Sequence, residues 1–154
     1  MGVEPRAAIE RCTSVEQLGW LELRQALWSD CPLEQHLLEM AEHVAIPQRF
    51  ADFVAYSEWG KPVGLAEAAM RTDYVNGATS TPVAFLEGIY VLPEARRQGV
   101  AASLADAVCR WARESGCGEL ASDAPLENQL SHAVHRALGF EETERVVFFR
   151  KRLT

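Results

Sequence analysis

Nothing in this sequence approaches the roughly 20 consecutive apolar residues that a membrane-crossing helix needs, so no span is expected. Met1 to Glu10 also lacks a basic start followed by an apolar run, so no export leader is expected. Cysteine is sparse and scattered. Cys12, Cys31, Cys109 and Cys117 make no C-x-x-C pair, which argues against a disulfide framework and a zinc site and suits reduced thiols in a cytoplasm. His36 and His43 stand seven apart and His132 and His135 three apart, spacings that can share a helical face, but no third ligand accompanies either pair and no metal is expected. Positive charge is in deficit, with 15 Lys and Arg against 22 Asp and Glu and a formal charge of −7. Nucleic acid, whose phosphates need clustered cations, is therefore not an expected partner. A cationic substrate is compatible with the charge, and so is ordinary solubility. Repeats, low-complexity tracts and linkers are absent too, and 154 residues that are 48% apolar suit one domain spanning 1–154.

What is present is periodicity. Thr13-Ser14 with Glu16-Gln17 supplies capping-box residues, and Val15, Leu18, Leu21, Leu23 and Leu27 recur at helical steps, predicting a helix from about Val15 to Trp28. Leu33, Leu37, Met40, Ala41 and Val44 mark a second helix between Pro32 and Pro47. From Asp52 the period becomes strand-like: Phe53 to Tyr56, a turn at Trp59-Gly60-Lys61-Pro62, then Val63 to Arg71. Asp73 to Pro82 reads as a loop, and Pro82 to Leu92 is a near-continuous apolar run expected as a central strand. Val100, Leu104, Val108 and Trp111 trace a helix ending near Gly116, Glu119 to Ser122 a short strand, Leu130 to Leu138 a helix, and Arg145 to Arg150 a closing strand. Strands interleaved with helices predict an α/β or α+β sheet with helices on both faces.

A buried strand, then Pro93 to Gln98, then Gly99 opening a helix presents backbone N–H groups at a positive helix end, where an anionic group belongs. Gly99 permits close approach, Ala101 and Ala102 leave room, and Arg96 and Arg97 add charge that suits a pyrophosphate. Arg96-Arg97-Gln98-Gly99-Val100-Ala101, with Asn128 and Leu138-Gly139-Phe140 downstream, resembles the signatures of the GCN5-related N-acetyltransferases (GNAT). The resemblance implies the GNAT fold, a mostly antiparallel sheet with splayed fourth and fifth strands. It also implies an acetyl-CoA site in which the Ile89-Tyr90-Val91 backbone pairs with the pantetheine arm and Asn128 lies near the cofactor.

Glu87 is the one charge in Phe85 to Leu92, and an unpaired buried carboxylate is costly. It is either the structural partner of a buried Arg or a carboxylate that receives an acceptor ammonium and helps remove its proton. Asp123 follows Leu120-Ala121-Ser122 at a strand end, where it either caps a turn or faces the same substrate. A closer resemblance comes from Arg71 to Gly77, Phe85 to Ile89, Ala121-Ser122-Asp123, Leu138 to Val146 and Leu27-Trp28, which look like the aminoglycoside 6′-N-acetyltransferases. By position, that resemblance implies a pocket lined by Trp28, Tyr74, Glu87, Asp123 and Glu144, with Glu87 foremost in proton removal and Cys31 a further pocket residue. Many GNAT members have a Tyr where this chain has His135. Either His135 donates a proton to the leaving thiolate, or the thiolate leaves unaided and His135 packs for structure. The resemblance also implies a resistance enzyme, and the apolar residues of Arg145 to Arg150 offer a strand to a second subunit, so a homodimer is expected. The alternatives are acetylation of another polyamine or a protein amine, a non-catalytic acetyl-CoA sensor, or an interaction module held together by that last strand.

Overall fold

Among the described residues, five strands hydrogen-bond side by side in chain order. They are β1 (Ala8–Arg11), β2 (Phe50–Tyr56), β3 (Pro62–Arg71), β4 (Val83–Val91) and β5 (Leu120–Ser122). The first four are antiparallel neighbours and β5 runs parallel to β4. This computed structural model describes residues 7–154, so the expectation about a leader in residues 1–6 lies outside the described residues. The contacts divide into a unit that ends at Asp123 and a second unit, Ala124–Thr154.

In the first unit, helices cover both faces of the sheet, as the interleaved pattern predicts. Gly64 of β3 faces helix α3 (Val100–Glu114), and a Cβ there would come 3.0 Å from both Leu104 Cδ1 and Val100 Cγ1, so the missing side chain sets how closely that helix lies. The α3 residues buried against the sheet, Val100, Leu104, Val108 and Trp111, are those the period picked out. Leu65, next along β3, points the other way and packs with Trp20 and Leu23 of α1 (Trp20–Leu27) and Met40 of α2 (Leu33–Ala45). The second unit contains α4 (Gln129–Ala137), capped by Asn128, whose Oδ1 accepts from Ser131 N at 3.1 Å.

Three expectations need correction, and one strand was not foreseen: β1, which pairs with β2, carries too few apolar residues to announce itself. The first helix begins at Trp20 rather than Val15, because Gly19 takes φ 83° and Ser14 Oγ accepts from Glu16 N inside a turn instead of capping a helix. α2 is rotated from its apolar stripe: Leu33 and Leu37 are exposed while His36 and Met40 are buried, because a buried arginine requires polar partners on that face. Finally, Arg145 to Arg150 joins no ladder among the described residues. Val147, Phe148 and Phe149 are 77%, 84% and 93% exposed, since β-propensity without an edge to pair with does not make a strand.

Candidate active site

The parallel pairing of β4 with β5 covers only Ala84 to Leu86 against Leu120 to Ser122, and Ser122 Oγ donates to Leu86 O at 3.1 Å where the pairing ends. Beyond it β4 continues through Gly88, Ile89, Tyr90 and Val91, paired to β3 on one side and released by β5 on the other. A free strand edge of this kind can pair with an extended ligand. Just past it, Arg97 and Gly99 both adopt positive φ, 63° and 80°, and turn the chain into α3. No side chain caps that helix. The N–H groups of its first turn, from Val100 to Ala102, are therefore the unsatisfied donors of a helix start. Arg96 is tied back by Nε donating to Val91 O at 2.9 Å, while Arg97, Gln98 and Gly99 are exposed. Edge and loop together fit an extended thioester carrier ending in a pyrophosphate.

Next to this edge lies a cavity of about 640 Å³ lined by residues that include Trp28, Cys31, Glu39, His43, Glu67 and Glu87. That volume falls within the range of about 300–1,000 Å³ usual for small-molecule sites. Glu87 reaches it through a bulge: Glu67 pairs with Gly88 and Ala68 with Leu86, so Glu87 is an extra residue on β4 with no partner across the ladder. It is not the buried carboxylate the apolar run implied, because its side chain is 34% exposed and Oε1 accepts from Arg71 Nη2 at 2.9 Å. Arg71 in turn stacks over Phe85, 3.7 Å from the ring centroid. Trp28 is set by two neighbours: the Arg24 guanidinium lies 5.0 Å from its ring centroid, and a Cβ on Gly88 would come 2.5 Å from its Cζ2. Glycine at 88 is what lets the indole lie against β4.

Part of the cavity wall is a polar network that no sequence motif announced. Arg24 donates to Glu67, to Glu39 and, through Nε at 3.2 Å, to His36 Nδ1, while Trp20 Nε1 donates to Glu67 Oε2 at 2.8 Å. Arginine only donates, so His36 Nδ1 carries a lone pair and the ring is neutral. His43 Nδ1 lies 3.0 Å from Asp52 Oδ2 and 3.7 Å from Glu67 Oε1. Burial, with the charge of Asp52 beside it, pushes Glu67 up to about 7 against the pull of Arg24. Burial raises Asp52 as well, opposed by its bond to His43. For His43 burial works downward, yet the Asp52 hydrogen bond and the charges of Asp52 and Glu67 carry it above the ordinary imidazole value. His43 is thus raised by its carboxylate neighbours, whereas Asp52 is raised by burial in spite of His43. Ligand atoms of His43, Asp52 and Glu67 lie within 4.8 Å of one another, a spacing that would also suit a cation. Both Glu67 oxygens are already taken, by Trp20 and Arg24, so the trio reads as a hydrogen-bonded network.

Of the residues named from sequence, Trp28, Cys31 and Glu87 come together at the cavity. Tyr74 is 74% exposed in the loop after β3 and is not among the cavity's lining residues. Asp123 is exposed directly after β5, one residue beyond the Leu86–Ser122 pair. In the second unit, Glu144 is exposed and His135 Nδ1 lies 2.7 Å from Ser131 O, with the ring edge-on to Phe140. Sequence reasoning missed Arg71, Glu67 and Asp52 as site residues, and weighed His43 only with His36 as a metal pair. Arg71 ends an apolar strand, a signal that was available; the others are separated in sequence and gave none.

The Acetyltransferase (GNAT) family model matches residues 17–140. An aminoglycoside N(6′)-acetyltransferase type 1 from Serratia marcescens is 54% identical over 135 residues, covering 88% of this chain and 92% of that protein. One from Acinetobacter genomosp. 13 is 51% identical over 134 residues, covering 87% and 90%. Among solved structures, AAC(6′)-Iy in complex with the bisubstrate analogue CoA-S-monomethyl-acetylneamine superposes with a TM-score of 0.90 at 46% identity, covering 97% of this chain and 100% of that one. AAC(6′)-Ih from Acinetobacter baumannii gives 0.89 at 44%, covering 96% and 99%. Their likeness extends over both units, and the chain belongs to the acetyltransferase (GNAT) family, among its aminoglycoside N(6′)-acetyltransferases.

Proposed function

We propose that this chain transfers the acetyl group of acetyl-CoA to the 6′-amine of aminoglycosides by direct attack in a ternary complex. One observation carries the reading: along a single stretch of β4, the edge released by β5 adjoins a bulge that puts the Glu87 carboxylate into a cavity walled by Trp28. The edge suits the acetyl donor and the carboxylate an ammonium.

In this reading the N–H groups leading into α3, with Arg96, Arg97, Gln98, Gly99, Val100, Ala101 and Ala102 around them, hold the pyrophosphate, and Ile89, Tyr90 and Val91 pair with the pantetheine arm. Backbone N–H groups of the same stretch stabilise charge developing on the carbonyl oxygen. Glu87 receives the ammonium, and Trp28 covers a sugar ring. Family resemblance adds Tyr74, Asp123 and Glu144 to the acceptor side and Asn128 to the cofactor side, with Cys31 among the cavity's lining residues. A thiolate is a good enough leaving group to depart unaided, and the bond of His135 to Ser131 O is consistent with a structural role for that ring.

Acetylation leaves a neutral amide where a drug carried a cation, which is the basis of a resistance function. The family match across residues 17–140 supports one acetyltransferase domain, and the free cysteines suit a cytoplasm. The exposed apolar arm at Val146 to Phe149 supports a homodimer, in which it finds an edge on a second copy; sedimentation equilibrium should return twice the chain mass, and a monomer overturns that part. Thiol release from acetyl-CoA, measured separately with tobramycin or kanamycin, spermidine and a lysine peptide, tests the function. Turnover is expected with the drugs, and turnover of the peptide alone sinks the assignment.

A further inference from the structure

His43 lines the same cavity as Glu87 and Trp28, yet nothing in the acetyl-transfer reading uses it. Its ring is held tightly. It lies flat on Phe50, with centroids 4.2 Å apart and planes 9° from parallel, and Nδ1 meets Asp52 Oδ2 at 3.0 Å. Asp52 is almost wholly buried, with a 3% exposed side chain, whereas His43 keeps 14% of its side chain accessible. A buried carboxylate on Nδ1 fixes the tautomer: Nδ1 holds the hydrogen and donates it, and Nε2 keeps the lone pair. Nε2 has no hydrogen-bond partner among the described residues, so it is the nitrogen able to accept a proton.

The reaction requires such a group. An amine acceptor arrives as an ammonium and cannot attack a carbonyl until it loses a proton. Glu87 Oε1 already accepts from Arg71 Nη2, which fixes that carboxylate in place to hold the ammonium's charge. An imidazole backed by a carboxylate is matched to taking the proton near neutral pH.

We propose that His43, held by Asp52, is the proton acceptor of the transfer reaction, taking the acceptor's ammonium proton directly or across one water while Glu87 holds the nitrogen. The inference rests on the acetyl-transfer reading above. An ammonium N–H bond breaks and its proton ends on Nε2. The neutral amine then attacks the thioester carbonyl carbon, so that C–N forms and C–S breaks, and the departing thiolate takes the second proton, shed by the new amide nitrogen. The imidazolium returns its proton to water before the next turnover.

The charges around the ring favour this. Asp52 on β2 and Glu67 on β3 stabilise the imidazolium, against burial and against Arg24 of α1. Arg24 is itself engaged by Glu67 and by Glu39 of α2, which blunts its repulsion, and His36 of α2 is neutral.

Thiol release measured across pH in wild type, His43→Gln and Asp52→Asn tests the proposal, using whichever of tobramycin, spermidine or the lysine peptide the wild-type protein acetylates. Wild-type kcat/KM should fall on the acid side as His43 becomes charged. His43→Gln should lose that limb and roughly 100-fold in kcat, the lower end for removal of a general base. Acetyl-CoA binding by calorimetry should be unchanged, and added imidazole should restore part of the rate, which a purely structural lesion would not permit. Asp52→Asn should shift the acid limb to lower pH, because the carboxylate is what favours the imidazolium. A His43→Gln protein with wild-type kcat and an unaltered acid limb overturns the proposal. If that variant does not fold, Asp52→Asn decides, and an unmoved limb there overturns it equally. Wild-type turnover of another amine alone overturns only the aminoglycoside assignment, and turnover of none overturns both.

Discussion

Arg71 Nη2 donates to Glu87 Oε1 at 2.9 Å while its guanidinium lies 3.7 Å over the Phe85 ring, so the carboxylate at the β4 bulge is oriented by an arginine at the end of β3. Both partners are more than a third exposed on the side chain or close to it, at 39% and 34%, so the pair adds little to stability, at most about 1 kcal/mol. Its value is positional. Arg71→Met should leave the melting temperature almost unchanged yet lower kcat/KM for the aminoglycoside about tenfold by letting the carboxylate wander. Glu87→Gln should impair turnover at least as much and leave acetyl-CoA affinity intact. Steady-state kinetics with calorimetry of acetyl-CoA binding checks both, and normal rates in Glu87→Gln would remove that carboxylate from the site.

Gly88 and Trp28 make a second test. An alanine methyl at 88 would lie 2.5 Å from the indole Cζ2 and 2.7 Å from Leu27 Cδ2, so α1 or the indole must move. Overpacking of this kind costs about 1–3 kcal/mol. Gly88→Ala should therefore lower the melting temperature and raise the acceptor KM while leaving the acetyl-CoA KM near wild type, measured by thermal scans and two-substrate kinetics. Unchanged acceptor KM would mean that Trp28 does not wall the acceptor site.

Removing Arg24 should be far more damaging than removing an exposed partner. Arg24→Met leaves buried Glu67 without its guanidinium, and breaking a buried pair from one side costs about 3–5 kcal/mol. Lys61→Ala, which removes a pair whose side chains are 58% and 59% exposed, should cost under about 1 kcal/mol. Urea unfolding of the two variants gives the comparison, and equal losses would contradict the burial described.

Folding stability should also depend on pH through the same network. Glu67 is raised to about 7 in the folded protein. The folded state thus binds this proton more tightly than the unfolded chain, whose Glu sits at about 4.3. The contribution is full below the unfolded value and is lost as pH rises through the folded one. Asp52 and His43, both raised, act with the same sign. The melting temperature should therefore decline from mildly acidic to neutral and alkaline pH. In Glu67→Gln the decline should be shallower although the protein is weaker throughout, and identical slopes in calorimetric scans would refute the link.

Much of this was legible locally. The α3 face, the apolar run of β4 and the Arg96 to Ala101 loop are set by periodicity and turn chemistry over a few neighbouring residues, and they matched the structure almost residue for residue. Glu87 was found because a charge inside an apolar strand is a local anomaly. The closing strand failed for the complementary reason, since Val146 to Phe149 has the right composition while pairing depends on an edge supplied from elsewhere.

By itself, then, the sequence determined β4, α3 and the loop between them, because backbone geometry and hydrophobic period act between near neighbours. It also determined that Glu87 stands out. Only the tertiary structure decided that β5 parts from β4 after Ser122, that Glu87 sits on a bulge bound to Arg71, and that Arg24, His36, Glu39, His43, Asp52 and Glu67 form one network. Each of those polar residues, read along the chain, looks like an ordinary solvated side chain. Packing two helices against the sheet removes their water, and a buried charge without water must find another charge.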